Sequence, residues 1–289
     1  MIPPQFEYQV ASTIPEAIAA LQSRPDDRVL AGGQSLIPVL KVRGARPGLL
    51  VDISRIAQLR GITVLADTVE IGALTTHREI EDSGDLRRVL PIMAETADLL
   101  ADPPVRSRGT FGGSLAYADP GGDWPAVAHA LGARISATGS RGTRTIIVDD
   151  FFVDGLKTSL DGDEILTHVT IPIPTGPVGM AYAKLRHPSS GYALVGVAAV
   201  VGVGRDGLCR TCRVAVTGAG PRAQLVAATC GALLGRSLTP PTIREAASRA
   251  SDDLSLSGDI YAGEEYRAHL VRVYVERVLL TATSRIPAL

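Results

Sequence analysis

The sequence is poor in cysteine. Three in 289 residues, Cys209, Cys212 and Cys230, fall short of the four thiolates that a common iron–sulfur cluster needs. Cys209-Arg210-Thr211-Cys212 has the spacing of a redox or metal motif, but it lies in the strand-like run Leu208–Val216. Alternation along a strand points side chains three apart to opposite faces, so ordinary strand cysteines are expected. A charge excess is missing too: 29 Lys+Arg against 30 Asp+Glu leave a formal charge of −1. That removes the electrostatic footprint of a nucleic-acid binder and any acidic tail for a cationic partner. No apolar stretch is both long and free of glycine or charge, so no membrane span is expected. The opening Met1-Ile2-Pro3-Pro4-Gln5 has neither the basic nor the apolar region of a secretory leader, and a cytoplasmic location is the expectation. No Rossmann fingerprint stands in a working context either. Gly202-Val203-Gly204-Arg205-Asp206-Gly207 fits GxGxxG, but it sits between two β-rich runs rather than between strand and helix, and reads as a hairpin turn.

What is present is a globular composition, 45% hydrophobic and 20% charged, in a chain long enough for two domains. Two short glycine-pair loops are expected: Ala31-Gly32-Gly33-Gln34-Ser35-Leu36 and Thr110-Phe111-Gly112-Gly113-Ser114-Leu115. Glycine lets backbone approach a ligand closely, and successive N–H groups turned inward form a concavity for anions. Two such segments point to the two phosphates of a dinucleotide. Each has a plainer reading: Gly112-Gly113 alone is a tight turn.

The first 55 residues read as a small α/β unit. Ser12-Thr13-Ile14-Pro15 starts a helix, Arg28–Ala31 is a strand feeding the first glycine pair, and Leu49–Ile53 is another strand. A hairpin is expected over Ile62–Leu65 and Val69–Leu74, then a helix from Thr75-Thr76-His77. A helix from Pro91 is expected to be stopped by Pro103-Pro104, with a buried helix over Ala126–Leu131 and strands at Arg134–Thr138, Arg144–Val148 and Glu164–Ile171. Pro172-Ile173-Pro174-Thr175-Gly176-Pro177 is the best linker, dividing residues 1–175 (lobes about 1–55 and 56–175) from 176–289. Three strand-like runs and then helices, ending with Glu264–Thr283, follow it, an α+β arrangement.

The ordered set of strings resembles the FAD-binding medium subunit of molybdenum hydroxylases, the family of xanthine dehydrogenase and aerobic carbon monoxide dehydrogenase. It runs from Phe6-Glu7-Tyr8 through the first glycine pair, Val51-Asp52-Ile53, Ile71-Gly72-Ala73, Arg108-Gly109 and the second pair. Ala118-Asp119-Pro120, Asp123, Lys184–Arg186 and Gly191-Tyr192-Ala193 complete it. The resemblance implies an α+β fold: a two-lobed FAD-binding domain of the vanillyl-alcohol-oxidase-like (PCMH) type, then a C-terminal domain of antiparallel sheet packed on helices. It implies FAD in this chain, and partners: a large subunit with a molybdopterin cofactor and a small subunit with two [2Fe–2S] clusters, in a heterohexamer. Electrons would leave through FAD to an external acceptor. By position it carries Val29, Leu30, Ala31, Gly32, Gly33, Gln34, Ser35 and Leu36 to one side of the diphosphate. Thr110, Gly112, Gly113 and Ser114 go to the other, and Asp123 to the sugar-like part. Leu166, Lys184 and Tyr192 go to the flavin edge, ring system and ring face, and Ala101 to the flavin pocket. No catalytic or metal-ligating residue is implied.

Plainer readings stand beside these: Tyr192 as a strand aromatic, Lys184 on a solvated face, Asp123 as a helix cap. His77 raises covalent flavin attachment, but Thr76-His77-Arg78 reads as an ordinary helix start. No cysteine-rich insertion for a further cluster is present. Two other functions remain open: a free-standing FAD-dependent oxidoreductase with its own substrate, which needs an acid or base over the flavin, and an interaction subunit that has lost its flavin.

Overall fold

A computed structural model describes residues 2–22 and 26–288. The first lobe is built from β1 (Glu7–Val10), α1 (Ile14–Leu21), β2 (Arg28–Leu30), α2 (Leu36–Lys41) and β3 (Leu49–Asp52). Its three strands form a parallel sheet in the order β1-β3-β2. Thr13 caps α1 by accepting the Glu16 N–H, with Pro15 in the first turn where its missing N–H costs nothing. Ala11, Ala17, Leu21, Val51 and Ile53 close a small core under that sheet.

The second lobe starts with the hairpin β4 (Ile62–Val64) and β5 (Thr68–Gly72). Helices α3 (His77–Asp82), α4 (Gly84–Val89), α5 (Pro91–Leu99), α6 (Pro103–Arg106), α7 (Phe111–Tyr117) and α8 (Asp123–Leu131) follow. Then come β6 (Arg134–Gly139), β7 (Gly142–Ile147), α9 (Val148–Phe151), a two-stranded ribbon of β8 (Phe152–Asp154) and β9 (Lys157–Thr158), and β10 (Ile165–Pro172). The five-stranded sheet runs β4-β5-β10-β6-β7, antiparallel throughout.

Residues 173–177 lead into β11 (Val178–Arg186), β12 (Ala193–Val203), β13 (Cys209–Thr217) and the short β14 (Gln224–Leu225), a second antiparallel sheet. Helices α10 (Ala227–Leu233), α11 (Pro240–Ala247) and α12 (Glu264–Ser284) cover one face of it. Its other face packs on α8, whose nine residues are all buried. One core therefore runs from Ile71 and Val169 through Trp124 and Val127 to Tyr182, Ala198 and Ala215, joining both sides of the 173–177 connection. The GxGxxG string is the β12–β13 turn, with Gly207 at φ +73°.

Three local expectations change. The helix from Pro91 ends at Leu99, before the double proline, and Pro103-Pro104 instead opens α6 under the Asp102 cap. Proline is tolerated there because the first turn leaves its N–H groups unpaired. The second glycine pair is not a loop but the first turn of α7, capped by Thr110. Cys209 and Cys212 do not face opposite ways. Opposite the adjacent Gly202 and Val203 stand Thr211 and Cys209, so β13 carries a bulge at Arg210. The extra residue puts both cysteines on the side of Val201 and Val203, toward the helices, where Cys230 of α10 also packs.

Candidate cofactor site

A cavity of about 410 Å³ opens where the first lobe, the α5–α8 region and the 190–192 segment meet. Its first wall is the chain leaving β2. Gly33 turns it at φ +74° and α2 begins at Leu36. Among the described residues, the backbone N–H groups of Ala31, Gly32, Gly33, Gln34, Ser35 and Leu36 donate to no protein acceptor. The carbonyls of Leu30, Gly33 and Ser35 are spent on Ile53, Ile37 and Val39. Six consecutive donors left open on a cavity wall make a site for an anion.

The second glycine pair behaves differently. The Phe111 N–H bonds the Thr75 carbonyl at 2.9 Å, Gly112 the Ala73 carbonyl at 2.9 Å, Gly113 the Thr110 Oγ1 at 3.2 Å and Ser114 the Thr110 carbonyl at 3.0 Å. Its amides are already used, and what it offers the cavity is the Thr110 and Ser114 hydroxyls. Its glycine is there for packing, since a Cβ on Gly112 would lie 2.6 Å from the Ala73 Cβ. Gly32 is constrained likewise: a Cβ there would enter the Arg108 carbonyl. The two segments are thus pressed backbone to backbone at Gly32 and Arg108-Gly109.

The cavity floor is Asp123, at the start of α8. Its carboxylate accepts from the Tyr182 hydroxyl and, at 2.8 Å, from the Lys184 ammonium. Burial pushes the Asp123 carboxyl up and the Lys184 charge opposes that shift. The Tyr182 phenol is held well above its usual range, first by burial and then by Asp123, and stays a donor. The Lys184 ammonium also bonds the Gly191 carbonyl at 3.1 Å, fastening the residue before Tyr192. The Tyr192 side chain lies against the Ser35 hydroxyl and forms another part of the wall. Ala101, at φ +45°, stands on the rim. Its turn is fixed by Arg106, which bonds the Leu100 carbonyl at 3.0 Å and Glu81 at 2.8 Å.

Of the residues named from sequence, Val29, Ala31 through Leu36, Ala101, Thr110, Gly113, Ser114, Asp123 and Tyr192 line this one cavity. Leu30, Gly112, Leu166 and Lys184 do not: Leu30 lies in β2, Gly112 against Ala73, Leu166 in the core and Lys184 against Asp123. Lys184 is therefore neither solvated nor presented to the cavity. Sequence reasoning missed Tyr182, two residues from Lys184 and so on its face of β11, and set aside His77, which lines the cavity.

Two family matches account for nearly the whole chain: the FAD binding domain in molybdopterin dehydrogenase over residues 4–174, and the CO dehydrogenase flavoprotein C-terminal domain over 180–282. The chain belongs to the FAD-binding subunits of molybdopterin dehydrogenases. It is an oxidoreductase component. Among these subunits, the carbon monoxide dehydrogenase medium chain of Hydrogenophaga pseudoflava is 36% identical over 286 residues, covering 99% of each chain. The nicotine 6-hydroxylase medium subunit of Paenarthrobacter nicotinovorans is 36% identical over 282 residues, covering 98% of this chain and 99% of that one. The solved carbon monoxide dehydrogenase of H. pseudoflava superposes with a TM-score of 0.96 at 37% identity, over 99% of this chain and 100% of that one. Quinoline 2-oxidoreductase of Pseudomonas putida 86 gives 0.92 at 32% identity, over 98% and 99%. The cavity fits the FAD that this family binds, because an open row of amides is the chemistry a diphosphate needs.

Proposed function

We propose that the chain is the electron-exit subunit of a three-part molybdenum hydroxylase. The row of open amides from Ala31 to Leu36 carries this reading, because it gives a diphosphate six neutral backbone donors. The Thr110 and Ser114 hydroxyls face the same space, and Tyr192 covers one side of the flavin ring. Asp123, oriented by Tyr182 and Lys184, would accept hydrogen bonds from hydroxyls of the sugar-like chain, and Lys184 acts through Asp123. When bound, FAD supplies a two-electron redox centre. In this reading a small subunit with two [2Fe–2S] clusters feeds that centre, and a large subunit with a molybdopterin cofactor oxidises the substrate. An external acceptor removes the electrons. In support, the carbon monoxide dehydrogenase and nicotine 6-hydroxylase relatives are named as a medium chain and a medium subunit, and this chain matches each over 99% of its length.

The test is to purify the chain with its native partners and record the visible spectrum before and after cofactor extraction. The account expects flavin absorption from released FAD, iron–sulfur features that follow the partners, and substrate turnover only by the complete assembly. Turnover by the isolated chain with FAD contradicts the subunit role, and a preparation that takes up no FAD contradicts the cofactor reading.

A further inference from the structure

His77 is 5% exposed and lines the cavity. Its Nδ1 lies 3.1 Å from the indole Nε1 of Trp124. An indole N–H can only donate, so Nδ1 is the acceptor and the neutral ring must carry its proton on Nε2. Burial, reinforced by the nearby Arg106 guanidinium, lowers the pKa of the ring to about 4, so the ring stays neutral under physiological conditions. The Nε2–H finds no acceptor among the described residues. Gly109 leaves that edge clear. A Cβ there would lie 2.8 Å from both His77 Nε2 and Cδ2, and this glycine is not among those with positive φ, so space and not backbone conformation requires it. The same Gly109 abuts Gly32, whose Cβ would lie 2.9 Å from the Gly109 Cα, and its carbonyl accepts the His77 N–H at 3.0 Å. The free edge of His77 thus opens beside the row of unpaired amides.

We infer that His77 is a further cofactor-binding residue, a fixed neutral donor whose Nε2–H bonds an oxygen of the FAD diphosphate, with Trp124 as the positioning residue that sets its tautomer. The inference rests on the FAD reading above and adds a donor to it. A neutral ring suits the place: an imidazolium would lose the Trp124 bond and bring a buried charge, whereas the N–H donor only completes its own hydrogen bonding.

The test titrates FAD, and separately ADP as a probe of the diphosphate end, into the flavin-stripped complex carrying wild-type chain, His77→Leu, His77→Gln or Trp124→Phe. Binding is read by fluorescence and by FAD retained per chain. Leu removes the donor and is expected to weaken both ligands about 10- to 100-fold, the range for one hydrogen bond to a charged acceptor. Gln places an amide N–H near the former Nε2 and is expected to restore most of the affinity. Trp124→Phe keeps an aromatic ring but frees Nδ1, so a smaller loss is expected, which supplies the test if the Leu variant does not fold. Unchanged affinity in His77→Leu or Trp124→Phe, or equal losses in folded Leu and Gln variants, overturns the assignment. Failure of the wild-type complex to bind FAD overturns the cofactor reading itself, and this contact with it.

Discussion

His77 shows how one buried side chain couples stability to pH. Its folded pKa of about 4 lies below the ordinary 6.5. Between those values the unfolded chain binds a proton that the folded chain refuses. The contribution is whole above pH 6.5 and is lost as pH falls through 4, a span equivalent to about 3 kcal/mol. Burial lowers His129 in the same direction, whereas burial raises Asp119 and Asp123, whose contributions run the opposite way. The difference between wild type and His77→Gln isolates one residue. Urea denaturation across this range is expected to show wild-type stability falling more steeply with acid than that of the variant; parallel curves would contradict a neutral buried His77.

At the scale of elements, Asp123 and Lys184 tie α8 to β11 across the junction of the two domains. Both side chains are almost wholly buried, at 5% and 2% exposure. Asp123→Ala strands the ammonium and is expected to cost about 3–5 kcal/mol in chemical denaturation, while Asp123→Ala with Lys184→Met is expected to regain part of that loss. No regain would mean that the pair is not what links the elements. Most elements were legible because each carried its own local signal, as with Thr13 and Pro15 at α1 or the β-branched runs of the β4–β5 hairpin. The exceptions have particular causes. Helix α7 was hidden because Gly112-Gly113 argues for a turn, and only Thr110 capping and the close approach of Ala73 make it helical. The common facing of Cys209 and Cys212 depends on a bulge in pairing with β12, which spacing along β13 does not reveal. Most site residues named from sequence do line one cavity, but the difference between the glycine pairs was illegible: it depends on which carbonyls reach the amides, and those of Thr75 and Ala73 are distant in sequence.

The whole molecule brings these parts together by layering. The first lobe supplies open amides, the second presses Arg108-Gly109, just ahead of its glycine helix, against Gly32, and the C-terminal domain closes the cavity with Tyr192 while its sheet buries α8 from the other side. No single domain encloses the site, which accords with the family match extending over both. The central claim is that Ala31–Leu36 hold the cofactor's diphosphate through backbone donors that have no other partner. Hydrogen–deuterium exchange of the complex, stripped of flavin and then reconstituted with FAD, tests it most directly. The account predicts fast exchange at Ala31–Leu36 that slows strongly when FAD binds, and slow exchange at Phe111–Ser114 in both states. FAD binding that leaves exchange at Ala31–Leu36 unchanged would contradict it.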